Sequence, residues 1–385
     1  MEKPTITLNN SYFWHFHMID LQFRAQRNED IAMFLIDAHQ DIAYNAVCFK
    51  RDYRVSALKK RQQEHESING AATLGLPEAL VGRVALVFAT IFTAPRSKST
   101  QPWSPVMYET AQQAYQQGMT QLDYYHRITD EDARLRLIRT ASDLDAVLST
   151  WESDKSIKER VQGLVLLMEN ADPILEPKQF EAWYEAGVRI VGPAWQASRY
   201  CGGTGAPGGL TQIGHELLDV MRSLNAILDL SHMAEQAYFE ALDQYDGVII
   251  ASHSNPRHFC NTDRHLSDEM IRALAERDGV IGAVLYNKFL RGGWTVSDGK
   301  HSITLTTVVD VIDHICQVTG SAQHVGIGTD FDGGFGAEAT PAEIDTIADL
   351  WLLKDALIQR GFGEDDVANI LGGNMLRQLR KSLKG

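Results

Sequence analysis

The stretch FLIDAHQD, residues 34–41, ends an apolar run with a histidine, a glutamine and an aspartate. Short runs of this kind, rich in β-branched residues, are typical of strands buried in a parallel sheet. We expect a strand over Ile31–His39, with His39 and Asp41 at its carboxyl end. A similar pattern, HFH at 15–17, has no buried strand before it, so His39 and Asp41 are the stronger metal-ligand candidates.

Eight such runs recur along the 385-residue chain, separated by helical or polar stretches. They are Ile31–His39, Arg83–Phe92, Gly163–Glu169, Gly187–Ala194, Ala226–His232, Gly247–His253, Gly279–Tyr286 and His324–Asp330. Eight strand–helix units close a (β/α)8 TIM barrel, so the predicted fold class is α/β with this barrel.

The predicted organisation is a single domain over residues 1–385, with a barrel core at about 31–335. Residues 93–162 would form an insertion between strands 2 and 3, with a polar helix around Thr129 to Ser149 that could cover the barrel mouth. Residues 336–385 would form a C-terminal helical region.

Composition limits the partners that this protein could have. The formal net charge is −14, and no run of clustered Lys and Arg occurs, which argues against nucleic acid and against an anionic membrane surface. The sequence also shows no signal-peptide pattern and no apolar run of membrane-spanning length. We therefore expect a cytoplasmic protein with no nucleic-acid or membrane partner.

Polar residues end five of the eight predicted strands. They are His39, Asp41, Glu169, His232, His253 and Asp330. Barrel active sites lie at the carboxyl ends of the strands, so these side chains should converge, and burying them together without a cation would cost several kcal/mol. Imidazole and carboxylate ligands suit Zn²⁺, with Mn²⁺, Fe²⁺ or Co²⁺ as alternatives, and the scattered cysteines offer no CxxC site. Two ions sharing a carboxylate would use the whole ligand set.

Several segments together resemble the membrane (renal) dipeptidase family of zinc peptidases, peptidase family M19, among the amidohydrolase-like barrels. They are LIDAHQD, LLMENAD, GLTQIGHELLDVMRSLNAILDLSHM, VIIASHSNPRHFCNTDRHLSDEMI, GVIGAVLYN and HVGIGTDFDGG, in this order. The resemblance covers residues 31 to 335. It implies a binuclear metallopeptidase that hydrolyses the amide bond of small, carboxylate-bearing dipeptides with a metal-bridging hydroxide. Relatives are often dimers, so it also implies a possible homodimer.

The resemblance assigns roles residue by residue. His39 and Asp41 would bind the first zinc, His232 and His253 the second, and Glu169 would bridge the two. Asp330 would be the catalytic acid and base. Arg264 and Tyr286 match family positions that engage the substrate carboxylate and the reaction centre, and a guanidinium suits a carboxylate.

Two positions depart from the family pattern. Trp195, in GVRIVGPAW, stands where a family histidine contacts the tetrahedral intermediate, and an indole offers a single N–H. Arg199 or Tyr200 could replace that donor, or Trp195 could simply fill part of the substrate pocket. The second departure is His265, where the family usually has Asn. The alternatives are therefore hydrolysis of another amide, a lactam or an ester, or a catalytically impaired metal-binding barrel.

Two further groups of polar residues have ordinary structural explanations. Asp332, in the turn DFDGG, could be a second acid, but aspartates in such turns more often accept hydrogen bonds from backbone N–H groups. The remaining histidines are expected at the surface or as caps; they are His126, His215, His258, His301, His314 and His324.

Overall fold

The computed structural model describes residues 33–64, 69–96, 107–152 and 155–383. Eight parallel strands form its barrel: β1 Leu35–Gln40, β2 Val84–Phe92, β3 Gln162–Glu169, β4 Val188–Gly192, β5 Ile227–Asp229, β6 Ile249–Ala251, β7 Val280–Ala283 and β8 Val325–Ile327. Each strand pairs with the next along the chain, and β8 pairs with β1. The predicted (β/α)8 barrel is confirmed. The HFH pattern and the first two residues of the predicted first strand lie outside the described residues.

Helices follow the strands, as the sequence predicts. The α-helices are Ile42–Phe49, Ala57–Gln63, Leu76–Val81, Ala111–Glu131, Ala141–Leu148, Phe180–Glu185, Gln212–Ser223, Glu235–Gln244, Asp268–Glu276, Asn287–Leu290, Leu305–Thr319, Leu352–Arg360, Glu364–Ala368 and Asn374–Ser382. Helix Leu305–Thr319 shows why they form: Val308, Ile312 and Ile315 repeat at helical spacing and are buried. In the described part of the chain, no helix is both long and apolar enough to cross a membrane.

Five of the eight strands end earlier than the apolar runs predict. β5 ends at Asp229 instead of His232, because Asp229 Oδ1 accepts the backbone N–H groups of Ser231 and Ser252. β8 ends at Ile327 instead of Asp330, and Asp37 Oδ1 accepts the N–H of Thr329. The carboxylates of Asp229 and Asp37 thus accept hydrogen bonds from backbone N–H groups that would have to pair with a neighbouring strand if β5 and β8 were longer. The residues after these strands therefore lie in loops.

Three other strand ends shift in the same direction, whereas β2 and β3 end as predicted and β1 runs one residue further, to Gln40. β4, β6 and β7 end at Gly192, Ala251 and Ala283, two or three residues before the predicted ends at Ala194, His253 and Tyr286. The polar residues that follow therefore stand just beyond the sheet.

The segment between β2 and β3 corrects the predicted helix around Thr129 to Ser149. Helix Ala111–Glu131 ends there, strand Leu135–Leu137 pairs in parallel with β3, and helix Ala141–Leu148 follows. Thr140 starts this second helix with a capping box to Asp143. A small parallel pair, Ala94–Pro95 with Met107–Tyr108, comes directly after β2. Of this segment, Ala94 lines the cavity at the barrel mouth.

Candidate metal centre

The six polar residues of the strand ends meet at one mouth of the barrel. His39 lies within β1, Glu169 is the last residue of β3, and Asp41 precedes helix Ile42–Phe49. His232 and Asp330 follow β5 and β8 in left-handed backbone, with φ of 66° and 61°. Such φ values are uncommon outside glycine and are found where surrounding contacts enforce them.

Glu169 stands at the centre of the arrangement. Its Oε2 lies 3.4 Å from His39 Nε2, while its Oε1 lies 3.1 Å from His232 Nε2 and 3.4 Å from His253 Nε2. Asp41 Oδ2 completes the first side at 4.0 Å from His39 Nε2. Two ligand groups share Glu169, His39–Asp41–Glu169 and Glu169–His232–His253, and each is compact enough to hold a metal ion. A third compact group, His39–His253–Asp330, takes one histidine from each of them.

The charges of this site favour an added cation. Burial alone would lower the pKa of His39, but the carboxylates of Glu169, Asp41 and Asp330 outweigh it and raise that pKa to about 9. Burial, with Arg264 nearby, lowers the pKa of His232 to about 4. A positive charge is thus favoured at His39, beside Glu169 Oε2, whereas His232 stays uncharged.

The donor atoms also fit a metal ion. His39 Nε2 is buried and finds no hydrogen-bond partner among the described residues. Its neighbours are imidazole nitrogens and carboxylate oxygens, which are ligands of Zn²⁺ and similar divalent ions. The residues present therefore fit a divalent metal.

Hydroxyl groups contact three of the candidate metal ligands at the side-chain atoms that face away from Glu169. Thr204 Oγ1 lies 3.1 Å from His232 Nδ1, and Ser252 Oγ lies 2.8 Å from His253 Nδ1. Thr90 Oγ1 donates to Asp41 Oδ1 at 2.7 Å. Sequence reasoning missed all three. The serines in DLSH and ASHS, residues 229–232 and 251–254, were a usable signal for Ser252, but no motif marks Thr90 or Thr204.

A cavity of about 470 Å³ opens above the ligands. Arg264 lines it and is only 7% exposed, with Nη2 donating to the His253 carbonyl at 2.7 Å and Nη1 to Ser254 Oγ at 3.3 Å. The Nε of Arg264 is buried without a hydrogen-bond partner in the described part of the chain. Tyr286 lines the same cavity and stacks on Phe335 at 4.1 Å. The cavity is therefore bordered by metal-ligand candidates and by the buried guanidinium of Arg264, whose Nε has no hydrogen-bond partner in the described part of the chain.

The sequence matches the membrane dipeptidase family, peptidase family M19, over residues 26–384. The chain belongs to this family. Together with the ligand clusters at the barrel mouth, this membership identifies it as a metal-dependent hydrolase of the dipeptidase type.

Several known proteins are similar to much of the chain. A Klebsiella pneumoniae protein, the uncharacterized protein in the pqqA 5′ region, is 31% identical over 66% of this chain and 91% of its own length. Dipeptidase aclJ of Aspergillus oryzae is 24% identical over 90% of this chain and 77% of its own. A Rhodobacter sphaeroides metallopeptidase, solved with a phosphinate mimic of L-Ala-D-Ala, superposes with a TM-score of 0.74 at 20% identity. That superposition covers 91% of this chain and 99% of the other, and it shows a shared fold.

Trp195, where the membrane dipeptidase resemblance places a histidine, forms part of the cavity wall. Its ring packs edge-on against Phe92 at 5.2 Å and lies 6.1 Å from the ring of His232. Arg199 and Tyr200 do not replace the donor, which corrects that expectation. Arg199 donates to the carbonyls of Ile174 and Leu175, and Tyr200 donates to that of Ile174. Both are occupied in holding the loop after β3.

The second departure from the membrane dipeptidase pattern, His265, also lines the cavity. It is buried, and its Nδ1 lies 2.7 Å from Thr262 Oγ1. Burial, with Arg264 and Arg257 nearby, lowers its pKa to about 3. The side chain therefore contributes an uncharged surface next to Arg264.

Asp332 accepts hydrogen bonds from backbone N–H groups, as its position in a turn predicts. Its Oδ1 accepts from the N–H and the hydroxyl of Thr73, each at 2.7 Å, and its Oδ2 accepts from the N–H of Leu74. Four of the remaining histidines are within hydrogen-bond distance of polar atoms away from the ligand cluster: His126, His215, His314 and His324.

Proposed function

We propose that this chain is a dipeptidase that holds two divalent ions, most simply Zn²⁺, and hydrolyses the amide bond of a dipeptide with a free carboxylate. The observation that carries the proposal is the position of Glu169. Its two oxygens face different groups of ligands, His39 on one side and the His232–His253 pair on the other. A carboxylate in this position can serve two ions at once, as in two-metal hydrolases.

The bound metals would supply Lewis-acid polarisation of the scissile carbonyl and a nucleophile at neutral pH. Asp330 would move the protons. Burial, together with the charges of Asp41 and Glu169, raises its pKa well above the usual range of a carboxyl group. The side chain can therefore hold a proton and pass it to the leaving amine, and it lines the cavity where that amine would form.

Arg264 would select the substrate. Its buried guanidinium borders the cavity and has an unpartnered Nε, while Asp330 and Glu169 lie near enough to act on its pKa. A substrate carboxylate would satisfy that donor with a charge-assisted hydrogen bond. A free carboxylate lies next to the scissile bond only when that bond is the last one of the peptide, as it is in every dipeptide. The arrangement thus supports cleavage of the last amide bond of a peptide, and a dipeptide is the simplest such substrate.

Metal analysis and a substrate panel test this proposal together. The protein, loaded with Zn²⁺, is analysed for bound metal and assayed with L,L-, L,D- and D,D-dipeptides. The L,D class is included because a metallopeptidase of the same fold was solved with a phosphinate mimic of L-Ala-D-Ala. We expect about two ions per chain and release of both amino acids. Full activity with one ion would contradict the two-metal site.

A second candidate is hydrolysis of another amide, a lactam or an ester at the same site. Trp195 favours it, because an indole replaces an imidazole at the cavity wall and changes which substrate shapes fit. Two bound ions with turnover of a lactam or ester, but of no dipeptide, would support this candidate. Two bound ions without any turnover would support an impaired barrel.

A further inference from the structure

Ser252 lies behind the metal ligands, at a point where both ligand groups meet. It directly follows β6 and is fully buried. Its Oγ lies 2.5 Å from Asp229 Oδ2, 2.8 Å from His253 Nδ1 and 3.3 Å from His39 Nδ1. One hydroxyl therefore contacts a histidine from each of the two ligand groups.

Asp229 determines where the hydroxyl proton goes. Its Oδ1 already accepts the N–H groups of Ser231 at 3.0 Å and Ser252 at 2.8 Å. Its Oδ2 then accepts the Ser252 hydroxyl proton, the single proton that this hydroxyl can donate. The Ser252 oxygen can therefore only accept hydrogen bonds from His39 and His253.

We infer that Asp229 and Ser252 are positioning residues that hold both imidazoles in the Nδ1–H form. Because each Nδ1 must donate to the Ser252 oxygen, each Nε2 keeps its lone pair for a metal ion. The inference rests on the proposed two-metal function, in which His39 and His253 face different oxygens of Glu169 and would bind different ions. Outer partners of this kind fix the tautomer and orientation of metal-binding histidines.

The backbone keeps Ser252 in place. A side chain on Gly282 or on Gly328 would overlap the carbonyl oxygen of Ser252. The chain near the ends of β7 and β8 thus packs directly on the peptide that carries the hydroxyl. The position of Ser252 Oγ depends on this packing as well as on Asp229.

Thr204 gives a matched comparison. Its Oγ1 lies 3.1 Å from His232 Nδ1, so it serves one histidine of one ligand group. Loss of the Thr204 hydroxyl should affect one metal step, whereas loss of the Ser252 hydroxyl should affect both.

Stepwise zinc titration of the full-length protein against a competing chelator tests the inference. We expect Ser252→Ala and Asp229→Asn each to weaken both binding steps, by about 10- to 100-fold. Thr204→Val should weaken one step only. A Ser252→Ala variant that weakens a single step, or neither, would overturn the inference. Thermal melting of each metal-free variant checks that it is folded.

Nitrogen-15 NMR of labelled histidine in metal-free wild type and Asp229→Asn reads the tautomers directly when it is recorded well above pH 9, the pKa of His39, so that both imidazoles are uncharged. Wild type should show His39 and His253 protonated at Nδ1. In Asp229→Asn the new amide can donate to Ser252, which frees the hydroxyl to donate to an imidazole, so Nε2–H should appear. Nε2–H in the wild type would reject the inference even if Ser252→Ala does not fold. Wild type that binds one ion, with Nδ1–H at both histidines, would instead count against the proposed function.

Discussion

Gly333 leaves no room for a side chain beside Asp330. A methyl group on Gly333 would overlap Asp330 Oδ1 and would lie 2.7 Å from Asp41 Oδ2. We therefore expect Gly333→Ala to displace both carboxylates and to lower kcat about 10²-fold, since a misplacement of about 1 Å can cost that much. Dipeptide turnover at saturating substrate measures the effect.

Gly363→Ala is the matched control for this change. A Cβ there meets no atom within 4 Å, and Gly363 has an ordinary φ of −69°. Its kcat should stay within about twofold of the wild-type value. Equal losses in the two variants would mean that the crowding at Asp330 is irrelevant.

Asp330→Asn should retain both metal ions and lose about 10² to 10⁴ of the rate, because an amide cannot exchange the proton that the proposed acid and base must carry. Metal content and kcat are measured on the same preparation. Asp332→Ala is the comparison within the same turn. It removes the acceptor of three hydrogen bonds and should lower the free energy of unfolding by about 1–3 kcal/mol. Wild-type turnover in Asp330→Asn would remove Asp330 from the mechanism.

Arg264→Lys should raise KM for dipeptides about 10- to 100-fold, because an ammonium cannot reproduce the guanidinium geometry towards a carboxylate. A dipeptide whose carboxylate is replaced by an amide supplies the substrate control. It should be a poor substrate for wild type and should respond little to the substitution. If Arg264→Lys changed both substrates equally, Arg264 would act through His253 and Ser254, which it also contacts.

Trp195→Phe separates the two roles open to the indole. As a cavity wall, packed on Phe92, the ring should be replaceable, and kcat should remain within a few-fold of wild type. If the indole N–H instead stabilised the reacting oxygen, its removal would cost about 10² to 10³ in kcat. We expect the first result, measured with the best dipeptide of the panel. A loss of the second size would show that the indole donates a hydrogen bond during the reaction.

Lys60 should make stability depend on pH above neutrality. Burial, partly offset by the charges of Asp332 and Glu78, lowers its pKa to about 8. Between that value and its usual 10.5, the unfolded chain binds a proton that the folded chain has released, so the free energy of unfolding rises with pH. The rise should reach about 3 kcal/mol, and Lys60→Met should remove it.

Urea unfolding of metal-free protein between pH 7 and pH 11 provides the measurement for Lys60. Lys59→Met, at an exposed neighbouring position, is the control and should keep the wild-type profile. If the free energy of unfolding depended on pH in the same way for wild type and Lys60→Met, the prediction would be wrong.

The sequence predicts the barrel because each strand is covered on both sides and reads as an apolar run. The runs overshoot at His232 and Asp330, where side-chain carboxylates and left-handed backbone end the ladder. Hydropathy cannot register that change, because it depends on contacts between distant residues such as Asp37 and Thr329. The predicted helix around Thr129 to Ser149 failed for a local reason, the capping box at Thr140 that starts a new helix.

The convergence of the site could be predicted from strand ends, since parallel strands bring their carboxyl ends together. The threonine partners of the ligands could not. Thr90 and Thr204 are close to Asp41 and His232 only in the folded chain. The ordinary roles of Arg199 and Tyr200 likewise depend on where the loop after β3 runs.

The left-handed backbone at His232 and Asp330 restricts which residues these positions accept. Asparagine and aspartate adopt such φ values most readily after glycine, whereas β-branched residues resist them. Asn is thus a replacement at both positions that alters the chemistry while sparing the path of the chain. Engineering a new reaction in this barrel would therefore have few residue types to choose from at these two positions in the loops after β5 and β8. Any other residue type there would first require a different backbone conformation of the loop.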